Sequence, residues 1–130
     1  MSGNGREPDR AQELEVLRAR IDEIDRRLVE LLNERAELAR EVGRAKFALG
    51  RTEIRDAARE REILVRVAIA NTGPMPQADL LAIYRRLFAA TRALEAGDRE
   101  RDRLRRVLQG GAPDDDPRPA STGRPESLPH

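Results

Sequence analysis

The feature that most constrains the fold of this chain is a long series of apolar residues spaced three and four positions apart. At about 3.6 residues per turn, such spacing keeps these side chains on one face of a helix. They fill two heptad positions, with Leu14, Ile21, Leu28 and Val42 in one series and Leu17, Ile24, Leu31 and Leu38 in the other. The series predicts one long helix that starts at Asp9, with Gln12 as its capping-box partner, and ends at about Leu49, before Gly50.

Two shorter helices are expected to follow. Asp56 is suited to cap a second helix over residues 57–70, which the turn at residues 71–76 ends. A third helix is expected from about Gln77, with a possible continuation into the charged stretch after residue 96. Charged residues make up 38% of the chain and aromatic residues only 2%, a composition typical of long helices. We therefore predict an all-α fold with one long N-terminal helix.

The length of 130 residues suits one small domain with a tail. We predict a flexible N-terminus over residues 1–9, a helical domain over residues 10–96 and a charged helical extension over residues 97–109. Residues 110–130 are rich in proline, glycine, serine and aspartate and offer almost nothing to bury, so we predict a disordered tail there.

Composition also excludes several classes of function. The net charge is +1 with acids and bases interspersed, which does not favour binding to nucleic acid. The chain has no cysteine and its one histidine is His130, so we predict neither a zinc site nor any other metal site. No run approaches the ~18 apolar residues of a membrane span, and the N-terminus lacks the apolar stretch of a secretory signal. We expect a cytoplasmic protein that does not bind membranes.

Each predicted helix carries polar residues on its apolar face. They are Arg35 and Lys46 on the first helix, Asp56, Arg59 and Glu60 on the second, and Thr91 and Glu95 on the third. Burying an unpaired charge costs several kcal/mol, so these groups need partners. One polar chamber that holds a ligand would supply partners for all of them. The alternative is that each charge only fixes the register of a coiled coil or joins a network between helices.

The stretches LRARIDEIDRRLVELLNERAELAREVGRAK, IRDAARERE, NTGPMP and IYRRLFAATRALE resemble the all-helical class of chorismate mutases, over roughly residues 14–95. The resemblance implies an intertwined homodimer of three-helix protomers with shared active sites. It also implies conversion of chorismate, a dicarboxylate, to prephenate on the route to phenylalanine and tyrosine, without a cofactor.

That reaction is an intramolecular Claisen rearrangement, which needs positioning and electrostatic stabilisation rather than a nucleophile. The resemblance implies that Arg18 and Arg35 clamp the substrate carboxylates, a task suited to the fixed donors of a guanidinium. It implies that Lys46 contacts a carboxylate and the ether oxygen. Arg18 and Arg35 are about 17 residues apart, roughly 25 Å along a continuous helix. Arg18 should therefore reach the site of a partner chain.

The resemblance assigns the remaining candidates as well. It implies that Asp56, through its backbone, and Glu60 hold the ring hydroxyl, with Arg59 supporting Glu60. Thr91 stands where the family often has serine near a carboxylate, and Glu95 where members carry glutamine or glutamate as a second donor to the ether oxygen.

Two departures from the family pattern affect the loop and the C-terminal end. The segment between Lys46 and Asp56 is one residue longer than usual and lacks a common proline. The residues after Glu95 are too few and too polar for a second catalytic domain, so we expect a free-standing mutase. Isochorismate pyruvate-lyase and aminodeoxychorismate mutase activity on the same scaffold remain alternatives, as does a noncatalytic helical dimerisation module.

Overall fold

The computed structural model describes residues 6–110, which form three helices and, within that range, no strand. Helix α1 spans Arg6–Ala48, α2 spans Ala57–Ala70 and α3 spans Gln77–Leu108. The all-α prediction and the order of the helices are confirmed. Of the tail predicted over residues 110–130, all but Gly110 lies outside the described range, as do the first five residues of the chain.

Helix α1 is continuous over 43 residues. Alanine, leucine, glutamate and arginine dominate it, all strong helix formers, and exposed ion pairs such as Arg26–Glu23 add support along the surface. The helix begins at Arg6, so Asp9 lies inside its first turn and does not cap it. The start expected at Asp9 was therefore wrong, because Pro8 is tolerated in the first turn of a helix, where its missing N–H would have no intrahelical partner, and the helix can begin before the capping signal.

The C-terminal end of α1 follows from Gly50, whose φ of 79° lies in the left-handed region that glycine adopts without strain. The N–H of Gly50 donates to the Phe47 carbonyl at 2.9 Å, and the N–H of Arg51 donates to the Lys46 carbonyl at 2.9 Å. This pair of bonds is a Schellman motif. It turns the chain sharply and brings Arg51 back beside Lys46.

The boundaries of α2 and the start of α3 agree with the sequence. The Asp56 carboxylate accepts from the Arg59 N–H at 3.0 Å, so Asp56 caps α2 as predicted. The turn into α3 is closed by Asn71, whose amide donates to the Met75 carbonyl at 3.0 Å and to the Gln77 side chain at 2.8 Å. These bonds fold α2 and α3 into a hairpin.

Helix α3 is the centre of the protomer, because it packs against both α1 and α2. Phe88 on α3 is 5% exposed and is the one buried hydrophobic residue among residues 9–110, with Tyr84 edge-on at 6.2 Å between ring centroids. The residues of α1 that are half-buried include Ala36, Ala39 and Gly43, whose small size allows close approach to α3. No helix among residues 6–110 is long and apolar enough to cross a membrane.

Candidate active site

A cavity of about 480 Å³ opens where the three helices and the loop between α1 and α2 meet. Its volume lies in the range of about 300–1,000 Å³ typical of small-molecule sites. Seven of the eight candidate residues line it, namely Arg35, Lys46, Asp56, Arg59, Glu60, Thr91 and Glu95. The eighth, Arg18, does not. Residues separated by up to 60 positions in the sequence thus face one space.

Two of the lining cations have no anionic partner. In the described part of the chain, no carboxylate lies within 4.0 Å of Arg35 or Lys46. The guanidinium carbon of Arg35 lies 5.8 Å from the ring centroid of Phe88, a cation–π contact that holds the side chain at the cavity wall. Lys46 lies in the last turn of α1, where the helix dipole favours a positive charge. The cavity therefore presents unneutralised positive charge.

Sequence reasoning missed a third cation at this wall, Arg51. It lies in the loop after α1, and the Schellman bond from its N–H to Lys46 fixes its backbone beside that lysine. No ion pair of Arg51 is found within residues 6–110. The glycine directly before Arg51 could have indicated this position from the sequence. A glycine after a helix, here Gly50, predicts a turn back toward the last helical residues.

Glu60 is held between two arginines. Its Oε2 accepts from Arg92 on α3 at 2.5 Å, and its Oε1 lies 3.6 Å from Nε of Arg55. The Glu60 side chain is only 17% exposed, so its carboxylate is held at the cavity wall by these two ion pairs. Arg92 also lines the cavity and was not predicted. Its position four residues after Phe88 places both on one face of α3, which is the signal that could have found it.

The other polar candidates make local bonds. One carboxylate oxygen and the carbonyl of Asp56 both accept bonds from the first turn of α2. The Thr91 hydroxyl donates to the Leu87 carbonyl one turn earlier at 3.0 Å, and Arg59 pairs with Glu62 at 3.2 Å near the surface. Of these three, Thr91 and Asp56 are half-buried, and Arg59 is exposed.

Glu95 is half-buried and lies over Gly43 of α1, where a β-carbon would stand 3.7 Å from its Cγ and Cδ. Burial raises the pKa of the Glu95 carboxyl above its ordinary value, and Asp98 adds to this rise. The charges of Lys46 and Arg99 oppose it without reversing its direction. The surroundings of Glu95 thus favour the neutral form of its carboxyl group.

Arg18 lies on an exposed part of α1, with its side chain 65% exposed and 4.0 Å from Glu15. It is about 17 residues from Arg35 along a continuous helix, roughly 25 Å. Within one protomer Arg18 therefore cannot join the residues of the cavity.

The chorismate mutase type II family model matches residues 17–96, which include α2, the cavity and most of α1. The chain belongs to this family. A bifunctional chorismate mutase/prephenate dehydratase from Aquifex aeolicus is 40% identical over 88 residues, which cover 65% of this chain and 24% of that protein. A protein of the same description from Pseudomonas aeruginosa is 34% identical over 87 residues, covering 64% and 24%. The chain thus spans about a quarter of the length of these curated relatives.

A solved structure, chorismate mutase (form II) from Thermus thermophilus, superimposes with a TM-score of 0.62 at 32% identity. The match covers 65% of this chain and 94% of that one. The family match ends at residue 96, whereas α3 continues without a break to Leu108.

Proposed function

We propose that this protein is a chorismate mutase that rearranges chorismate to prephenate in aromatic amino-acid biosynthesis. The observation that carries the proposal is the pair of unpaired cations, Arg35 and Lys46, in a cavity of suitable size within a chain of this family. A dicarboxylate ligand would neutralise both charges. We also propose a cytoplasmic location, as expected from the sequence.

The rearrangement breaks a C–O bond and forms a C–C bond within one molecule, so the protein must hold a compact conformation and stabilise the ether oxygen. Arg35 is proposed to bind a carboxylate with its guanidinium fork, pre-positioned by the ring of Phe88. Lys46 is proposed to bind a carboxylate and the ether oxygen. Its compact charge favours the negative charge that develops on that oxygen as the bond breaks.

The opposite wall of the cavity is proposed to hold the ring hydroxyl of chorismate. Glu60 remains able to accept a hydrogen bond after pairing with Arg92, because each carboxylate oxygen has two lone pairs. The side chain and carbonyl of Asp56 are engaged in capping α2, which leaves its backbone N–H as the donor for a ligand. Arg59 is proposed to support Glu60, and Thr91 to lie near a substrate carboxylate.

Glu95 is proposed to donate the second hydrogen bond to the ether oxygen. Only a protonated carboxyl can donate. Burial raises the pKa of Glu95, which favours that form. Bound substrate carboxylates would raise it further, because a nearby negative charge disfavours ionisation.

The active form is proposed to be an intertwined homodimer in which Arg18 completes the partner's site. The apolar heptad residues of α1 from Leu14 to Leu31 are 46–56% exposed in one protomer. An apolar stripe of this length calls for a covering surface. A second α1 running alongside it would cover the stripe and deliver Arg18 across the interface.

The test is incubation of the purified protein with chorismate and identification of the product by chromatography and mass spectrometry. Formation of prephenate supports the proposal. Isochorismate is offered separately, and its conversion to pyruvate and salicylate would assign the lyase instead. Aminodeoxychorismate is also offered separately, and its rearrangement to the corresponding amino analogue of prephenate, without turnover of chorismate, would assign the aminodeoxychorismate mutase. A folded dimer that turns over none of the three substrates would be a noncatalytic module.

A further inference from the structure

A second cavity, of about 240 Å³, lies behind the first, between the last turns of α1 and the part of α3 beyond the family match. Five arginines and the ring of Phe47 contribute to its walls. Its volume is below the range of about 300–1,000 Å³ of larger ligand sites, so it suits a small molecule.

Two of the five arginines are already neutralised. Arg40 donates to both carboxylate oxygens of Asp98 at 2.9 Å, and Arg103 donates to Glu100 at 2.7 Å. Three others have no carboxylate within 4.0 Å among the described residues: Arg44, Arg99 and Arg106. Two acidic residues that line this cavity, Glu95 and Asp102, do not take part in these ion pairs.

Two of the arginines without a carboxylate partner share one aromatic ring, and one of them, Arg99, also donates a hydrogen bond to the Thr52 carbonyl. The guanidinium carbons of Arg99 and Arg106 each lie 5.9 Å from the ring centroid of Phe47. They are therefore no more than about 12 Å apart, and like charges at such a separation repel each other. A bound anion would relieve this repulsion. The half-exposed ring of Phe47 offers an apolar surface to the rest of the ligand.

Glu95 connects this space to the first cavity, because its side chain lines both. The charges that act on its pKa are those of Lys46 on α1 and of Asp98 and Arg99 on α3. The other charged residues that line the two cavities with it are Arg35, Arg40, Arg44, Arg51, Asp56, Arg59, Glu60, Arg92, Asp102, Arg103 and Arg106. An added anion would favour the protonated form of Glu95, since a negative charge nearby disfavours its ionisation.

We propose that the second cavity binds a small organic anion with an apolar body, and that this ligand acts on the reaction through Glu95. The binding of the anion depends only on the second cavity. Its effect on the reaction rests on the proposed mutase function.

Binding is tested with benzoate as the probe, by titration followed through the backbone amide signals of the full-length protein. We expect saturable shifts at residues 97–106 with the unaltered chain. The double variant Arg44→Gln/Arg106→Gln should weaken this binding by about tenfold or more, because charge-assisted bonds are lost. Arg105→Gln is the matched control, because Arg105 is exposed on the same helix and does not line the cavity.

Three results would overturn the binding proposal: shifts confined to the first cavity, equal affinity in the double variant, or equal shifts with benzylamine, a cation of similar size. Inorganic phosphate is titrated in parallel. Tighter binding of phosphate than of benzoate would contradict the proposal that the ligand has an apolar body. Thermal melting of each variant shows that it is folded, and Arg106→Gln alone carries the test if the double variant unfolds.

Coupling is tested by kcat as a function of pH at saturating chorismate, which removes competition for the first cavity. With benzoate bound, the alkaline decline of kcat should move to higher pH in the unaltered chain, whereas the flattened pH profile of Glu95→Gln should not change. Demonstrated binding without this movement would overturn the coupling. A protein that binds benzoate and lacks mutase activity would refute the proposed function and leave the binding site standing.

Discussion

Two parts of the same helix differ in what surrounds them. In residues 9–34 of α1 every side chain is exposed, whereas in residues 35–46 half-buried side chains recur every three or four positions. Both parts carry the same apolar spacing. The difference shows that helical spacing defines a face without defining what covers it. The C-terminal part meets α3 through small residues such as Ala39 and Gly43, whereas the apolar heptad residues Leu38 and Val42 stay largely exposed.

The proposed dimer predicts that the exposed part of α1 is the more sensitive one to an introduced charge. Ile24→Lys places a cation within the apolar stripe, so we expect loss of the dimer together with loss of activity. Analytical ultracentrifugation and an activity assay measure both. Arg26→Ala is the control, because residue 26 points about 200° away on the helix. A dimer that persists unchanged in Ile24→Lys would contradict the role given to the stripe.

Substitutions in residues 35–46 of α1 should instead lower activity without lowering stability to the same extent. Arg35→Ala and Lys46→Ala should each lower kcat/KM by about 100-fold or more, in line with the loss of a pre-positioned charge. The Lys46 variant should melt within a few degrees of the unaltered chain, because it removes a cation without an ion pair and, with it, a helix-dipole interaction of only about 0.3–1 kcal/mol. The Arg35 variant should lose only its cation–π contact with Phe88, which should lower the free energy of unfolding by about 0.5–1 kcal/mol.

Arg27→Ala, an exposed change on the same helix, is the control for both variants. If the alanine variants unfold readily while the folded fraction turns over normally, these cations serve the register of the helices and not a ligand.

The two parts of α1 can also be tested together by complementation. Mixing inactive Arg18→Ala with inactive Arg35→Ala under conditions of subunit exchange should restore about a quarter of the activity. Half of the dimers are then mixed, and each mixed dimer has one intact site. Subunit exchange is verified by native mass spectrometry. Absence of activity despite complete exchange would place Arg18 outside the partner's site.

Glu95 should produce a smaller, pH-dependent effect. Because its raised pKa favours the protonated donor, kcat should be highest on the mildly acidic side and fall as the pH rises through that pKa. Glu95→Gln keeps an N–H donor at every pH and should flatten the decline, while Glu95→Ala should be poor throughout. An unaltered slope in the glutamine variant would show that another group titrates.

The contact between α1 and the end of α3 should produce the smallest effect. Arg40 holds the pKa of Asp98 below its ordinary value through two hydrogen bonds. A lowered folded-state pKa stabilises the fold above the unfolded value of about 3.9, and this contribution is lost as the pH falls through the folded-state value. Asp98→Asn should lower the melting temperature by a few degrees near neutral pH, with convergence toward the unaltered chain in acid.

Asp102→Asn is the matched control for this comparison, since Asp102 makes no ion pair within the described residues. A difference between Asp98→Asn and the unaltered chain that persists in strong acid would mean that the aspartate acts through packing and not through its charge.

Local patterns in the sequence predict the three helices and where α2 and α3 begin, because apolar period, capping residues and glycines act over a few neighbouring positions. They also predict that polar residues interrupt the apolar faces of the helices, and seven of the eight candidates line one cavity. The start predicted at Asp9 was wrong, because a helix can begin before a capping signal when the intervening proline falls in its first turn.

The packing of the helices, and not the sequence pattern, establishes which charged groups neutralise one another. Glu60 and Arg92 are 32 positions apart and Arg40 and Asp98 are 58 apart, and no periodicity relates the members of either pair. It also decided that Arg51 turns back to the cavity and that Glu95 lines two cavities rather than one. The physical reason is that spacing along a helix assigns each residue to a face, whereas ion pairing and burial depend on which other helix meets that face.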